Sequence, residues 1–132
     1  MMYALDTNTL IYFFKGMGKV GERLLKIPPS AIGVPSVVLY ELEFGLRRSS
    51  QPQKRRVQLE EFIGATTVLP FEEKAAAAAA QIRFELERAG SPVGPLDTLI
   101  AGTAVAWGAT LVTRNTREFG RIRALRTVDW YE

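Results

Sequence analysis

Three acids, Asp6, Glu41 and Asp97, are the residues of this 132-residue chain best suited to chemistry. Asp6 closes the short apolar run Tyr3-Ala4-Leu5 and is followed by the polar Thr7-Asn8-Thr9. Glu41 and Asp97 each stand inside an otherwise apolar helical pattern. An acid at the C-terminal end of a strand in an open α/β sheet lies where such sheets bind ligands. Three converging carboxylates repel one another and raise one another's pKa unless a cation joins them. Oxygen-only donors suit magnesium or manganese, and magnesium keeps several of its waters. Such a site can activate water and neutralise charge at a scissile phosphodiester. The expectation from these residues is a metal site that cuts RNA.

What the chain lacks narrows the chemistry further. It contains no histidine and no cysteine. That removes the commonest general base, the serine–histidine hydrolases, the usual zinc ligands and any disulfide framework. Hydrophobic residues make up 47% and charged residues 23%, enough apolar material for one core, so residues 1–132 are expected to form a single domain. The net charge of +3 is compatible with a nucleic-acid partner. No stretch is long and apolar enough to span a membrane, and the N-terminus lacks a secretory pattern, so a cytoplasmic location is the default expectation.

The elements that must position the acids follow from the punctuation. Tyr3 to Leu5, Ala31 to Val34, Thr66 to Leu69, Thr110 to Thr113 and Leu125 to Val128 read as strands. Helices are expected after Asp6, over Lys19 to Lys26, from Ser36 as N-cap through Arg48, over Gln53 to Ile63 with Val57, Leu59, Phe62 and Ile63 as its apolar side, over Phe71 to Arg88, and from Pro95 to Trp107. The run Ala75 to Ala80 marks close helix packing, because alanine favours helix and admits a near neighbour. Strands alternating with helices imply a parallel sheet covered on both faces.

Each acid also has a plain structural reading. Asp6 is a ready N-cap. Glu41 fits a partly buried acid paired with Arg47 or Arg114. Asp97, near the third position of its helix, favours the positive end of the helix dipole. The combination favours a site. Each acid follows, or lies about a turn beyond, the start of a helix, and in a parallel sheet those starts gather at one edge.

Four motifs, in order, extend the constellation across the chain: Leu5-Asp6-Thr7-Asn8; Ser36 with Glu41-Leu42 and Phe44-Gly45; Gly94-Pro95-Leu96-Asp97-Thr98-Leu99-Ile100-Ala101; and Leu111-Val112-Thr113-Arg114-Asn115-Thr116-Arg117-Glu118-Phe119. The chain thereby resembles the PIN-domain family and, more narrowly, the VapC toxins of type II toxin–antitoxin pairs. The resemblance implies a three-layer α/β/α sandwich with a central, mainly parallel sheet, and a magnesium- or manganese-dependent endoribonuclease. It implies Asp6, Glu41 and Asp97 as metal-binding acids. Glu118 is expected to complete the cluster, with Asn115, where many relatives carry aspartate, holding substrate or a neighbouring acid. Thr7, Asn8, Ser36 and Thr113 become supporting or substrate-binding residues. Arg114 and Arg117, with Lys15, Arg47 and Arg48, become candidate RNA-backbone contacts, whereas Lys54-Arg55-Arg56 reads as a solvated helix face. The resemblance further implies tRNA, with the anticodon region of initiator tRNA the favoured target. A homodimer and a cognate VapB-type antitoxin are implied as well, with Tyr12, Phe13, Phe14, Tyr40, Leu46 and Phe62 as apolar surface for the antitoxin.

Two other readings compete. Asp6-Thr7-Asn8-Thr9 is similar to the Asp-x-Asp-x-Thr nucleophile motif of haloacid-dehalogenase-type phosphatases, but Asn8 stands where their acid–base aspartate belongs. A lapsed PIN scaffold that binds RNA or protein is the non-enzymatic alternative.

Overall fold

The computed structural model describes residues 1–132. Five strands, β1 (Tyr3–Leu5), β2 (Ile32–Pro35), β3 (Thr67–Leu69), β4 (Thr110–Val112) and β5 (Thr127–Val128), form one sheet in the order β3-β2-β1-β4-β5. Every pairing is parallel, with Ala4 opposite Gly33 on one side and Leu111 on the other. All residues of β2 and β4 are buried, as strands covered on both faces require. The helices are α1 (Thr7–Lys15), α2 (Val20–Leu24), α3 (Ser36–Arg47), α4 (Pro52–Ala65), α5 (Glu73–Arg88), α6 (Pro95–Ala106) and α7 (Thr116–Phe119), with a 3-10 turn at Pro29–Ala31. The expected parallel α/β architecture is therefore the observed one. No helix is long and apolar enough to cross a membrane.

Chain order fixes where the site must lie. β1 is central, with β2 and β4 on its two sides, so the winding direction reverses there. Ligands of open α/β sheets bind beyond the strand ends at such a reversal. Asp6 follows β1, and Thr113 follows the adjacent β4.

The alanine run does what its composition promises. Ala75, Ala79, Ile82 and Leu86 form the buried stripe of α5, which packs along α6. At Gly102 of α6, a Cβ would lie 2.6 Å from the Cβ of Ala79. The two helices approach too closely there for any side chain.

Three local expectations are corrected. Ser36 does not cap α3: it is the first helical residue, Pro35 occupies the cap, and the Ser36 hydroxyl accepts the N–H of Phe71 at 3.2 Å. Val57 is 54% exposed and leaves the apolar side of α4 to Leu59, Phe62 and Ile63. Residues two apart lie about 200° around a helix, so Val57 and Leu59 cannot share a face. Helix α5 begins at Glu73 and not at Phe71, because Pro70 and Phe71 still belong to the connection from β3.

Candidate active site

Asp6 is both a cap and a buried acid. Its Oδ1 accepts the N–H of Thr9 at 2.9 Å, closing the first turn of α1. The Asp6 N–H donates to the carbonyl of Val112, as does the Thr9 hydroxyl, each at 3.1 Å. The start of α1 is thus fastened to β4. Burial pushes the Asp6 carboxyl above the usual carboxylate range. The Thr113 hydroxyl and the Thr9 donors pull the other way without cancelling it, and the charge of Asp129 adds to the rise.

Glu41 lies on α3, half-buried, and its Oε1 accepts the Thr7 hydroxyl at 2.6 Å. No arginine neutralises it in the way the paired-acid reading expects. Arg47 binds Glu43 at 2.9 Å, the i,i+4 partner on its own side of the helix, and Arg114 approaches Glu132 at 3.6 Å. Glu41 therefore keeps a hydroxyl donor on one oxygen.

Asp97 occupies the first turn of α6. Its pKa is pushed up to about 6, first by burial and then by the negative charges of Glu41, Asp6 and Glu118. The negative charges of three carboxylates from other parts of the chain thus bear on Asp97 through space, although the chain separates Asp6 from Glu118 by most of its length. Glu118 is held by Asn115, whose Nδ2 donates to Oε2 at 2.8 Å. The Asn115 N–H in turn donates to the Thr113 hydroxyl at 3.0 Å. Of the two roles expected for Asn115, holding a neighbouring acid is the one seen.

No three of these acids stand close enough to grip a bare ion by themselves. A cation held here would keep part of its water shell. Magnesium takes one or two carboxylates directly and fills its remaining positions with water and substrate oxygens. An all-oxygen donor set whose central acid is lifted by like charge is one a divalent cation relieves.

The other expected residues scatter around this centre. Asn8, Arg114 and Arg117 are exposed, on α1, just beyond β4 and on α7. Ser36 is engaged with Phe71. Arg48 lies over the Phe44 ring. Arg56 bridges to Glu43 at 3.0 Å and Arg55 donates to Gln58, so the basic run of α4 is tied down in the helix layer. A groove of about 400 Å³ opens between α1, α3 and α4, with Phe14, Leu46 and Leu59 among its apolar walls and Lys15, Glu41 and Arg55 among its polar ones. Phe13, Phe14 and Phe62 pack as one aromatic cluster, and Tyr40 is exposed. Leu46 is buried, while Tyr12 turns towards Tyr131 at 4.9 Å and is not among the groove's lining residues.

Thr9 is a further supporting residue, absent from the sequence motifs' expected roles. The signal is its position three residues after a capping acid, whose side chain seeks that N–H. The placement of Tyr131 against Arg114 has no such local signal.

Residues 3–125 match the PIN domain family model. The chain is 38% identical over 130 residues to "tRNA(fMet)-specific endonuclease VapC" of Shigella flexneri, covering 98% of each chain. The structure is similar to that of DNA-bound VapBC from Salmonella typhimurium, with a TM-score of 0.91 and 40% identity over 98% of both chains. It is also similar to VapBC2 from Rickettsia felis bound to a promoter DNA fragment, with a TM-score of 0.91 and 33% identity over 98% of this chain and 99% of that one.

Proposed function

The chain belongs to the PIN-domain family and is a ribonuclease toxin of the VapC kind, and from that premise we propose a magnesium- or manganese-dependent endoribonuclease acting on initiator tRNA. The observation that carries the proposal is the negative charge that Asp6, Glu41 and Glu118 bring to bear on Asp97 beside the sheet reversal. Asp6, Glu41 and Asp97 would hold the cation, with Glu118 joining through water. Bound there, the metal supplies positive charge against the phosphodiester and acidifies water. The chain's own residues orient the donors. Thr7 fixes Glu41, Thr9 and Thr113 brace Asp6, and Asn115 fixes Glu118. Loss of partners of this kind typically costs about 10- to 100-fold in metal affinity or activity. Asn8 and Arg117 are exposed and take the role of RNA contacts.

The substrate follows from the relatives named for tRNA(fMet), and the anticodon region is the part we assign. The same reading makes the protein a homodimer silenced by a VapB-type antitoxin, whose tail would lie in the groove between α1, α3 and α4. The family match leaves the phosphatase reading without support.

The test is expression of wild type and Asp6→Ala without antitoxin. Growth arrest by the wild type alone, with initiator tRNA fragments whose formation in extract a chelator abolishes, is the expected result. Equal toxicity of both proteins would remove the mechanism and favour a lapsed scaffold. An intact tRNA pool during arrest would remove the substrate.

A further inference from the structure

Arg114 lies two residues beyond Val112, whose carbonyl accepts the Asp6 N–H at 3.1 Å, so its backbone sits at the edge of the acidic centre. Its guanidinium carbon lies 3.6 Å from the ring centroid of Tyr131 and 5.9 Å from that of Tyr12. The two tyrosines meet edge to face. Tyr131 is itself fixed from several sides. Its carbonyl accepts the Lys19 N–H at 2.8 Å, and its N–H donates to Asp129 Oδ1 at 2.7 Å. Gly18, at φ 63°, leaves no room for a side chain, since a Cβ would lie 2.6 Å from the Tyr131 ring. The C-terminal segment is thus built to lay one ring under one guanidinium.

That arrangement exceeds what an ion pair needs. The acid beside Arg114 is Glu132, at 3.6 Å and 75% exposed, a contact worth little in water. Arg47 and Arg56, by contrast, share Glu43 at hydrogen-bonding distance, and Arg83 is spent on Glu87. A guanidinium stacked on a ring presents its N–H groups in plane, which suits two-point contact with a phosphate.

We propose that Tyr131, with Tyr12, holds Arg114 as a preformed clamp for a backbone phosphate of the RNA beside the acidic cluster, Tyr131 being the positioning residue. The inference rests on the nuclease reading and adds to it a role for the C-terminal segment. Burial of Trp130 against Tyr3 anchors that segment independently, so the ring can be altered without releasing the tail.

The experiment is steady-state cleavage of a fluorescent initiator-tRNA anticodon stem-loop across a salt series. Arg114→Gln should raise KM about 10-fold, the loss of one charge-assisted contact, with kcat changed less than about threefold. The slope of log KM against log salt should fall by about 0.7, the value of one phosphate contact on a single strand. Tyr131→Leu should raise KM similarly, Tyr131→Phe should recover most of the loss, and Tyr131→Leu with Arg114→Gln should be no worse than Arg114→Gln alone. An unchanged salt slope in Arg114→Gln, or additive effects in the double variant, would overturn the clamp. Arg114 is exposed, so its variant decides the matter even where Tyr131→Leu fails to fold. Metal-independent cleavage by Asp6→Asn would instead overturn the nuclease reading itself.

Discussion

Asp97 carries the electrostatic cost of the site. With a folded pKa of about 6 against an ordinary 3.8, the folded state holds a proton that the unfolded chain has released between those values. Stability from this group is therefore greatest near pH 4, falls as pH rises to about 6, and stays low above it. In metal-free protein at pH 7, Asp97→Asn should melt above wild type by roughly a few degrees, and the advantage should vanish towards pH 4. Calorimetry across that range checks it; a difference independent of pH would point to packing instead. The supporting residues have costs of another kind. Asn115→Ala frees Glu118 and should weaken metal-dependent activity about 10-fold, recoverable with excess metal. Loss that no metal concentration restores would place Asn115 on the substrate.

Among the elements, α6 matters most, because it carries Asp97 at one end and meets α5 along its length. Gly102→Ala inserts a methyl where 2.6 Å separates it from Ala79, and should cost about 1–3 kcal/mol by urea unfolding. Wild-type stability in that variant would show that the two helices slide apart freely. The alanine run by itself signals this packing, since small residues in a long helix mean a near neighbour. Strand positions and all six expected helices were equally legible to within a few residues, because punctuation by glycine, proline and capping acids is local. Ser36 and Val57 depart from expectation for one shared reason, which also leaves Glu41 without the arginine of its plain reading. Each depended on which side of a helix faced what. Glu43 outcompetes Glu41 for Arg47 by the i,i+4 rule, and Phe71 reaches Ser36 only after β3 is in place.

The whole molecule gathers Asp6, Glu41 and Glu118 through its strand order, while Asp97 comes on α6, which follows a helix and a loop. β1 lies between β2 and β4, so the segments after β1, after β2 and after β4 open on the same sheet edge. The motifs of the chain were readable as a set, and so was their meeting at an edge. Their distances were not, nor was the tail that brings Tyr131 to Arg114. If the acids form one centre, a divalent cation should stabilise the fold by mass action, about 2.7 kcal/mol at a hundredfold excess over Kd, raising Tm by several degrees. Asp97→Asn should lose most of that rise. The most direct measurement is manganese binding followed by electron paramagnetic resonance on wild type, Asp6→Asn and Asp97→Asn. A single class of site weakened at least about 10-fold by either substitution, with RNA cleavage falling in step, is the predicted result. Undiminished manganese affinity and cleavage in both variants would contradict it.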